Sequence, residues 1–337
     1  MHDARYPVGI VGAAYHLPGE RQDITAWGDE QDVSPELVET LLGVGCRYFH
    51  ASETESDLDL LIAALERLAA QVGRSRIAAA SYLVHVHTQN FSVPPAPTSL
   101  LAAVAERYAL RPKLCFSVEQ LACAGVVSAI DWASRLLAAD PDAEHALVLT
   151  SDRMFGNGSH RVYQQGGIES DGASAVLLGK AGVACRIGPA TYRNFTALHQ
   201  GPATSYNQTA IARYSWLHTK RLFQDHGKAT GIAVADHGQI LPINACSAHW
   251  NLIARSLSIP PERLFLDNIR DRGHACCSDF AMNLVDRGFA ILEQGQPVLY
   301  CGRSNVGAHA ALTLLPAVTA AEQAVSRRAP VADAVTP

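Results

Sequence analysis

Apolar runs four to ten residues long alternate along this chain with stretches of helical period. Pro7 to Ala14 is apolar and glycine-punctuated and predicts a strand, which Tyr15-His16-Leu17-Pro18-Gly19 leaves in a turn. Ser34-Pro35-Glu36 predicts a short helix with proline at its first position. Ser56 to Asp59 reads as a capping box ahead of an amphipathic helix from Leu58 to about Val72. Ile77 to Val86 predicts a buried strand, and Pro94-Pro95-Ala96-Pro97 breaks the chain before a helix from Ser99 to Tyr108. Leu114 to Val118 predicts a strand, followed by a small-residue turn and an apolar helix from Val126 to Leu137. The strands Ala146 to Thr150 and Ala173 to Leu178 flank a polar, glycine-rich loop, Gly156 to Gly167.

A second set of elements begins near Val183. Tyr192 to Gly238 shows no clear period; a helix is predicted from about Ala248 to Leu257 and a strand from Leu264 to Asn268. A glycine turn leads to the helix Asp279 to Leu284, then the strand Pro297 to Cys301, the turn Gly302 to Gly307 and a final strand, Ala308 to Leu314. Residues after about Pro316 are rich in Ala, Val and Pro and predict a frayed tail. Strands alternating with helices imply α/β layers. The comparable order of strand, helix and glycine turn in each half points to an internal duplication.

Composition narrows the class. With 337 residues, 48% hydrophobic and 18% charged, the chain has material for a sizeable core and does not read as disordered. A formal net charge of −5 without a long basic run argues against a nucleic-acid binder. No segment reads as a membrane span, and no charged n-region with a long h-region precedes the first apolar run. The eight cysteines include no C-x-x-C pair, and the adjacent Cys276 and Cys277 are poorly placed to bridge each other. That usage predicts a reduced, cytoplasmic enzyme with several buried thiols and no structural zinc.

The chemistry centres on Leu121-Ala122-Cys123-Ala124-Gly125. A thiol between a strand end and a helix start sits where free backbone N–H groups and the helix dipole stabilise negative charge. Cys123 is therefore a candidate nucleophile. The alternative is a buried structural cysteine in a small-residue turn.

Beyond this stretch, the chain resembles the ketoacyl-ACP synthase III branch of the thiolase superfamily over nearly its whole length. The resemblance rests on Ile10-Val11-Gly12 with Tyr15-His16-Leu17-Pro18, on Gly45-Cys46-Arg47 through Glu53-Thr54, on Ala122-Cys123-Ala124-Gly125, on Asp171-Gly172-Ala173-Ser174-Ala175 and on the Gly302 to Gly307 loop. It implies an α/β thiolase fold of five layers, αβαβα, built from two similar halves, and a homodimer. Residues 1–182 would form the half carrying the nucleophile and 183–316 the half carrying its partners, with 317–337 a disordered tail.

Two departures from the condensing enzymes of that branch matter. In the Pro-His-Gln-Ala-Asn stretch of those enzymes, this chain reads Leu241-Pro242-Ile243-Asn244-Ala245-Cys246, which puts Ile243 in the histidine position. Their Gly-Asn dipeptide reads Gly273-His274 here. Isoleucine donates no hydrogen bond to a developing enolate, so decarboxylative carbon–carbon bond formation is not expected. Gly273-His274-Ala275-Cys276-Cys277-Ser278-Asp279 instead resembles the acyl-transferring offshoot found in natural-product pathways, of the cervimycin malonyltransferase type. That resemblance implies Cys123 as nucleophile, His274 as general base and Asp279 as the group orienting the imidazole, with backbone N–H groups of Cys123 and Val306 as the oxyanion hole. It implies an acyl-CoA or acyl carrier protein donor, a small-molecule acceptor bearing a hydroxyl, and no permanently bound cofactor or metal.

The residues leave alternatives. Transfer to a carrier-protein thiol shares the first half-reaction; a starter condensation would need His249 in place of the missing histidine; a non-catalytic synthase partner would not need Cys123. His85 and His87 share a strand face and read as a polar rim near a substrate tunnel or subunit interface rather than a metal site. Arg303 reads as a surface residue, or as one that meets a carboxylate-bearing acyl group. His199 is unassigned.

Overall fold

The computed structural model describes residues 7–19, 21–88, 97–154, 156, 158–163, 166–195 and 205–317, with backbone alone for 205–213. Most of the Pro94 to Pro97 break, His199 and the tail from residue 318 onward lie outside the described residues.

Nine strands form one hydrogen-bonded sheet: β1 (Gly9–His16), β2 (Ala80–Val86), β3 (Leu114–Val118), β4 (His145–Asp152), β5 (Gly172–Gly179), β6 (Cys185–Asn194), β7 (Gln239–Pro242), β8 (Val298–Arg303) and β9 (Ala308–Pro316). Their spatial order is β3-β2-β4-β5-β1-β6-β9-β8-β7. In the first half β3, β2 and β4 run parallel, while β5 is antiparallel to both of its neighbours, β4 and β1. The second half repeats that plan: β7 and β8 are parallel, and β9 is antiparallel to both β8 and β6. Its outermost strand is reduced to a single bridge between Ile240 and Leu264. The halves meet through only two β1–β6 pairs, Gly9–Arg186 and Ile10–Cys185.

Helices complete five layers. α1 (Asp57–Val72) packs on β1, β5 and β4, with α2 (Leu100–Arg107) against it. Between the half-sheets runs α3 (Gly125–Ala139), which touches β2 and β4 on one side and β6, β8 and β9 on the other. α4 (Ser205–Thr230) covers β6 and β9 and packs on α5 (Ser247–Ser256). α6 (Asp279–Asn283) meets β1 and β5, and continues through a π-helical turn, Leu284–Gly288, into α7 (Phe289–Glu293), which meets β9.

Burial on both sides explains the composition of these central elements. Every residue of β5 is buried, and α3 buries Val126, Val127, Ala129, Ile130, Ala133 and Leu137 around most of its circumference. The run Ala122–Ala139 is in fact long and apolar enough to cross a membrane, but 67% of it is buried as the core helix of this fold. The Ser56–Asp59 capping box is formed, and Ser34 caps the proline-led helix Pro35–Gly43.

Three elements differ from the sequence expectation. Ile77 belongs to a short helix, Arg74–Ala78, and the strand starts at Ala80. Leu264 is drawn into a 3-10 turn led by Pro260-Pro261, and the predicted strand gives way to a helix at Asp267–Asp271. Tyr192 to Gly238 contains the end of β6 and the 26-residue α4.

The loop before β5 locks the halves together. Asp171 and Arg161 form a two-pronged buried ion pair at 3.0 and 3.1 Å, and the same carboxylate accepts from the N–H groups of Met154 and Ser52. Beside it, the Ser170 N–H donates to the His274 carbonyl and the His274 N–H to the Ile168 carbonyl. Removing one member of a buried pair strands a charge in a low-dielectric interior. Arg161→Met, which keeps the aliphatic stem, is expected to lower stability by about 3–5 kcal/mol in urea unfolding. A loss below about 1 kcal/mol, the value of an exposed pair, would mean that the loop is held by its backbone bonds alone.

Candidate active site

The turn that presents Cys123 is strained. Ala122 has φ 45°, a left-handed conformation costly for a residue with a Cβ, and it begins a 3-10 turn, Ala122–Ala124, between β3 and α3. Gly302 on β8 packs directly against this turn; a Cβ there would lie 3.0 Å from the Ala124 Cα and 3.2 Å from the Cys123 carbonyl oxygen. No side chain caps α3 and its first turn holds no acidic residue, so its amides are not spent on a local carboxylate.

His274 arrives from the other half of the chain. Gly273, at φ 68°, lets the backbone pass so close to the Ile168–Ser170 loop that a Cβ would sit 2.8 Å from the Ser170 Oγ. The His274 Nε2 then lies 3.3 Å from the Cys123 Sγ, and its Nδ1–H donates to the Asp279 Oδ2 at 2.6 Å. Cys123, His274 and Asp279 thus form one buried line.

Asp279 caps nothing by its side chain at the start of α6; its carboxylate is spent on the line instead. Oδ1 accepts from the Ala275 N–H at 2.8 Å and the Asn244 Nδ2 at 3.2 Å, and Oδ2 from the Asn244 N–H at 2.6 Å as well as from His274. Asn244 is held in turn by Asn283, and Asn283 by Asn268.

These contacts set the protonation states. The Cys276 thiol donates to Cys123 and, with the His274 charge and the Thr88 hydroxyl, holds the Cys123 thiol well below its usual range against the opposing effect of burial. Burial disfavours charge on His274, but the Asp279 carboxylate and Cys123 thiolate outweigh it and raise the imidazolium well above the usual histidine value. Both directions favour a Cys123 thiolate facing a His274 imidazolium. Cys276, donating to that thiolate and itself buried, is pushed up.

Several neighbours carry no signal in the sequence. Thr88 lies with its Oγ1 3.6 Å from the Cys123 Sγ and 3.5 Å from the Cys277 Sγ, and its N–H is fixed by Asp152. Glu169, which pairs with His274 through backbone at an isolated bridge, is pushed up to about 7 by burial and by the Cys123 thiolate, against the pull of His274.

No protein-family model matches the sequence, and no curated protein does. Solved structures match over almost the full chain. An acyltransferase titled ChlB3 superposes with a TM-score of 0.78 at 18% identity, covering 93% of this chain and 98% of its own. The 3-oxoacyl-(acyl carrier protein) synthase III, FabH, of Xanthomonas oryzae pv. oryzae gives 0.75 at 14% identity, over 91% and 98%. The priming β-ketosynthase of the R1128 polyketide biosynthetic pathway gives 0.74 at 19% identity, over 93% and 97%. The fold is the thiolase fold, shared with these structures.

Within this thiolase fold Ile243 is a core residue; its side chain is fully buried and its carbonyl accepts from the Trp250 Nε1. Val306 lies in the turn between β8 and β9, half-buried against the main core. His249 is half-buried against Trp250, edge-on at 5.2 Å, where desolvation and then the Arg303 and His309 charges lower it well below the usual histidine value. Arg303 is not a surface residue: it is fully buried, donates to the Ser215 Oγ at 3.1 Å and lies over the Trp250 ring. His85 and His87 form no rim either. They are 1% and 4% exposed and stack at 5.1 Å, with the His85 Nε2 bonded to the Ser151 Oγ. Burial, then His87, pushes His85 down to about 3.

The thiolate reading has a pH consequence. An ordinary thiol loses reactivity below about pH 8.5. Cys123, held lower, should keep a flat iodoacetamide alkylation rate through neutral pH and lose it only as pH falls through its depressed value. Cys276→Ala and Asp279→Asn should each move that midpoint upward, because each removes support for the ion pair. A wild-type midpoint at the ordinary thiol value would refute the resting ion pair.

Proposed function

We propose that this chain is an acyltransferase that moves an acyl group from acyl-CoA or an acyl carrier protein, through a thioester on Cys123, to a hydroxyl of a small-molecule acceptor. The observation that carries the reading is the continuous line from the Cys123 Sγ through both nitrogens of His274 to Asp279. The structural likeness to an acyltransferase, a 3-oxoacyl-(acyl carrier protein) synthase III and a priming β-ketosynthase supports the same class of donor.

The steps balance on two residues. The Cys123 thiolate attacks the donor carbonyl, and backbone N–H groups of Cys123 and Val306 hold the oxyanion. Collapse expels the donor sulfur, which takes the His274 Nε2 proton and leaves as a thiol. Neutral His274 then accepts the proton of the acceptor hydroxyl as its oxygen attacks the Cys123 thioester. The ester departs, and the thiolate and imidazolium are restored, a ping-pong cycle without decarboxylation. The first half of the chain, to residue 182, supplies the nucleophile, and the second, from 183, the base and its carboxylate. No resident cofactor is required. Exposed Leu114 and Cys115 on the edge strand β3 favour pairing with a second copy, and a cytoplasmic setting suits the free thiols.

Intact-protein mass after incubation with a panel of acyl thioesters tests the first half-reaction. Cys123→Ala should gain no acyl mass, and peptide mapping of the wild type should place the label on Cys123; label on Cys276 or Cys277 would overturn the assignment. His274→Ala should load more slowly and, once preloaded, discharge to acceptor in single turnover about 10²–10⁴-fold slower than wild type, the usual worth of a general base. Asp279→Asn should lose less, because the imidazole remains in reach. Discharge of His274→Ala at the wild-type rate would remove histidine as the base. CO₂ release from a malonyl thioester would point to condensation instead.

A further inference from the structure

We propose that Cys123, His274 and Cys276 form a binding site for one soft divalent cation, Zn²⁺ by preference, whose occupancy closes the acyl-accepting thiol. The Cys123 Sγ, His274 Nε2 and Cys276 Sγ lie within 4.8 Å of one another, and all three residues are buried. Tetrahedral zinc with sulfur at about 2.3 Å and nitrogen at about 2.0–2.1 Å sets ligand atoms about 3.6–3.8 Å apart. The Cys123 Sγ and His274 Nε2 stand at 3.3 Å, so an ion enters by opening that contact by a few tenths of an ångström.

The surroundings suit a ligand set as well as a nucleophile. The His274 Nδ1–H is fixed on the Asp279 Oδ2 at 2.6 Å, the carboxylate–histidine arrangement that orients an imidazole toward a metal. That bond holds Nε2 on the sulfur side. Two thiolates and a neutral imidazole around a divalent ion make a neutral cluster, the form in which a buried site tolerates charge. Binding converts the thiolate, imidazolium and Cys276 thiol into three ligands and releases two protons to solvent. Three protein ligands leave one coordination position open to water, unlike the closed four-ligand set of a structural zinc site. The linear spacing concealed this set, because Cys123 and His274 are 151 residues apart.

The ion would take the electron pairs that the chemistry uses, on the Cys123 Sγ and the His274 Nε2. That consequence rests on the acyl-transfer reading, whereas the site itself does not. The full-length, metal-stripped protein, kept reduced with a phosphine, should bind one Co²⁺ with a thiolate-to-cobalt charge-transfer band. It should bind one Zn²⁺ in competition with a chromophoric chelator. Cys276→Ser, whose fold is checked by its thermal melt without metal, should weaken Zn²⁺ by at least about 100-fold, the upper end of what an outer-shell change costs. Zn²⁺ should protect Cys123 from iodoacetamide in the wild type, with EDTA restoring alkylation. Unchanged affinity in Cys276→Ser, a cobalt spectrum without the charge-transfer band, or protection reversed only by reductant would overturn the site. Stoichiometric metal binding in a protein that accepts no acyl group would leave the site standing and remove the acyl-transfer reading. Acyl loading without metal binding would do the reverse.

Discussion

The Asp279 carboxylate is the interaction on which the site depends. It is fully buried, and four hydrogen bonds saturate its two oxygens. A buried carboxylate short of partners would take up a proton or pull the surrounding chain out of place. Satisfied by Asn244, Ala275 and His274, it aims one imidazole edge at the Cys123 sulfur. Asn244 shares that task from β7's end of the sheet, through both its backbone and its side chain. Truncating the Asp279 side chain would therefore release the 242–246 segment as well as the histidine.

The topology makes that convergence possible. Each half places a functional segment on the middle layer: the Cys123 turn at the start of α3, and the His274 to Asp279 segment at the start of α6. The loop before β5 then reaches across with Ile168 and Ser170 to hold His274, while Arg161 and Asp171 hold the loop. The β1–β6 seam alone, with two residue pairs, would not fix the site to within a few tenths of an ångström. The cross-half contacts around His274 supply that precision.

Local chemistry was legible in the sequence; assembly from distant segments was not. Cys123 showed itself because a thiol in a small-residue turn between an apolar strand and an apolar helix has an identifiable backbone environment. His274 and Asp279 stood out through their five-residue spacing and the departure from the Gly-Asn pattern. Asn244, Thr88 and Glu169 were invisible, since each acts through a contact that only the closed fold creates. Among elements, α4 was missed because its apolar positions are diluted by His, Gln, Asn and Thr, so no strong helical stripe emerges. The strand expected from Leu264 is cut to a single bridge, because paired prolines hold Pro261–Arg263 in a turn before it and a helix starts at Asp267 after it. Arg303 was assigned to the surface by the usual habit of arginine, which the contacts with Ser215 and Trp250 overrule.

Backbone strain marks where precision is demanded. Ala122 and Cys276 both adopt left-handed conformations, at φ 45° and 48°, in two short 3-10 turns that pack against each other. Such conformations cost of order 1–3 kcal/mol each for residues with a Cβ, and persist only where packing overdetermines them. Here the packing comes from Gly302 under one turn and from the Asp279 network beside the other. The two strained turns bring the Cys123 and Cys276 sulfurs together, so that one thiol donates to the other as thiolate. A sulfur made electron-rich by that bond, and an imidazole fixed by a carboxylate, are what both a nucleophile and a soft cation require. Reactivity toward acyl groups and affinity for thiophilic metals are thus two consequences of one arrangement, and Cys276 contributes to both.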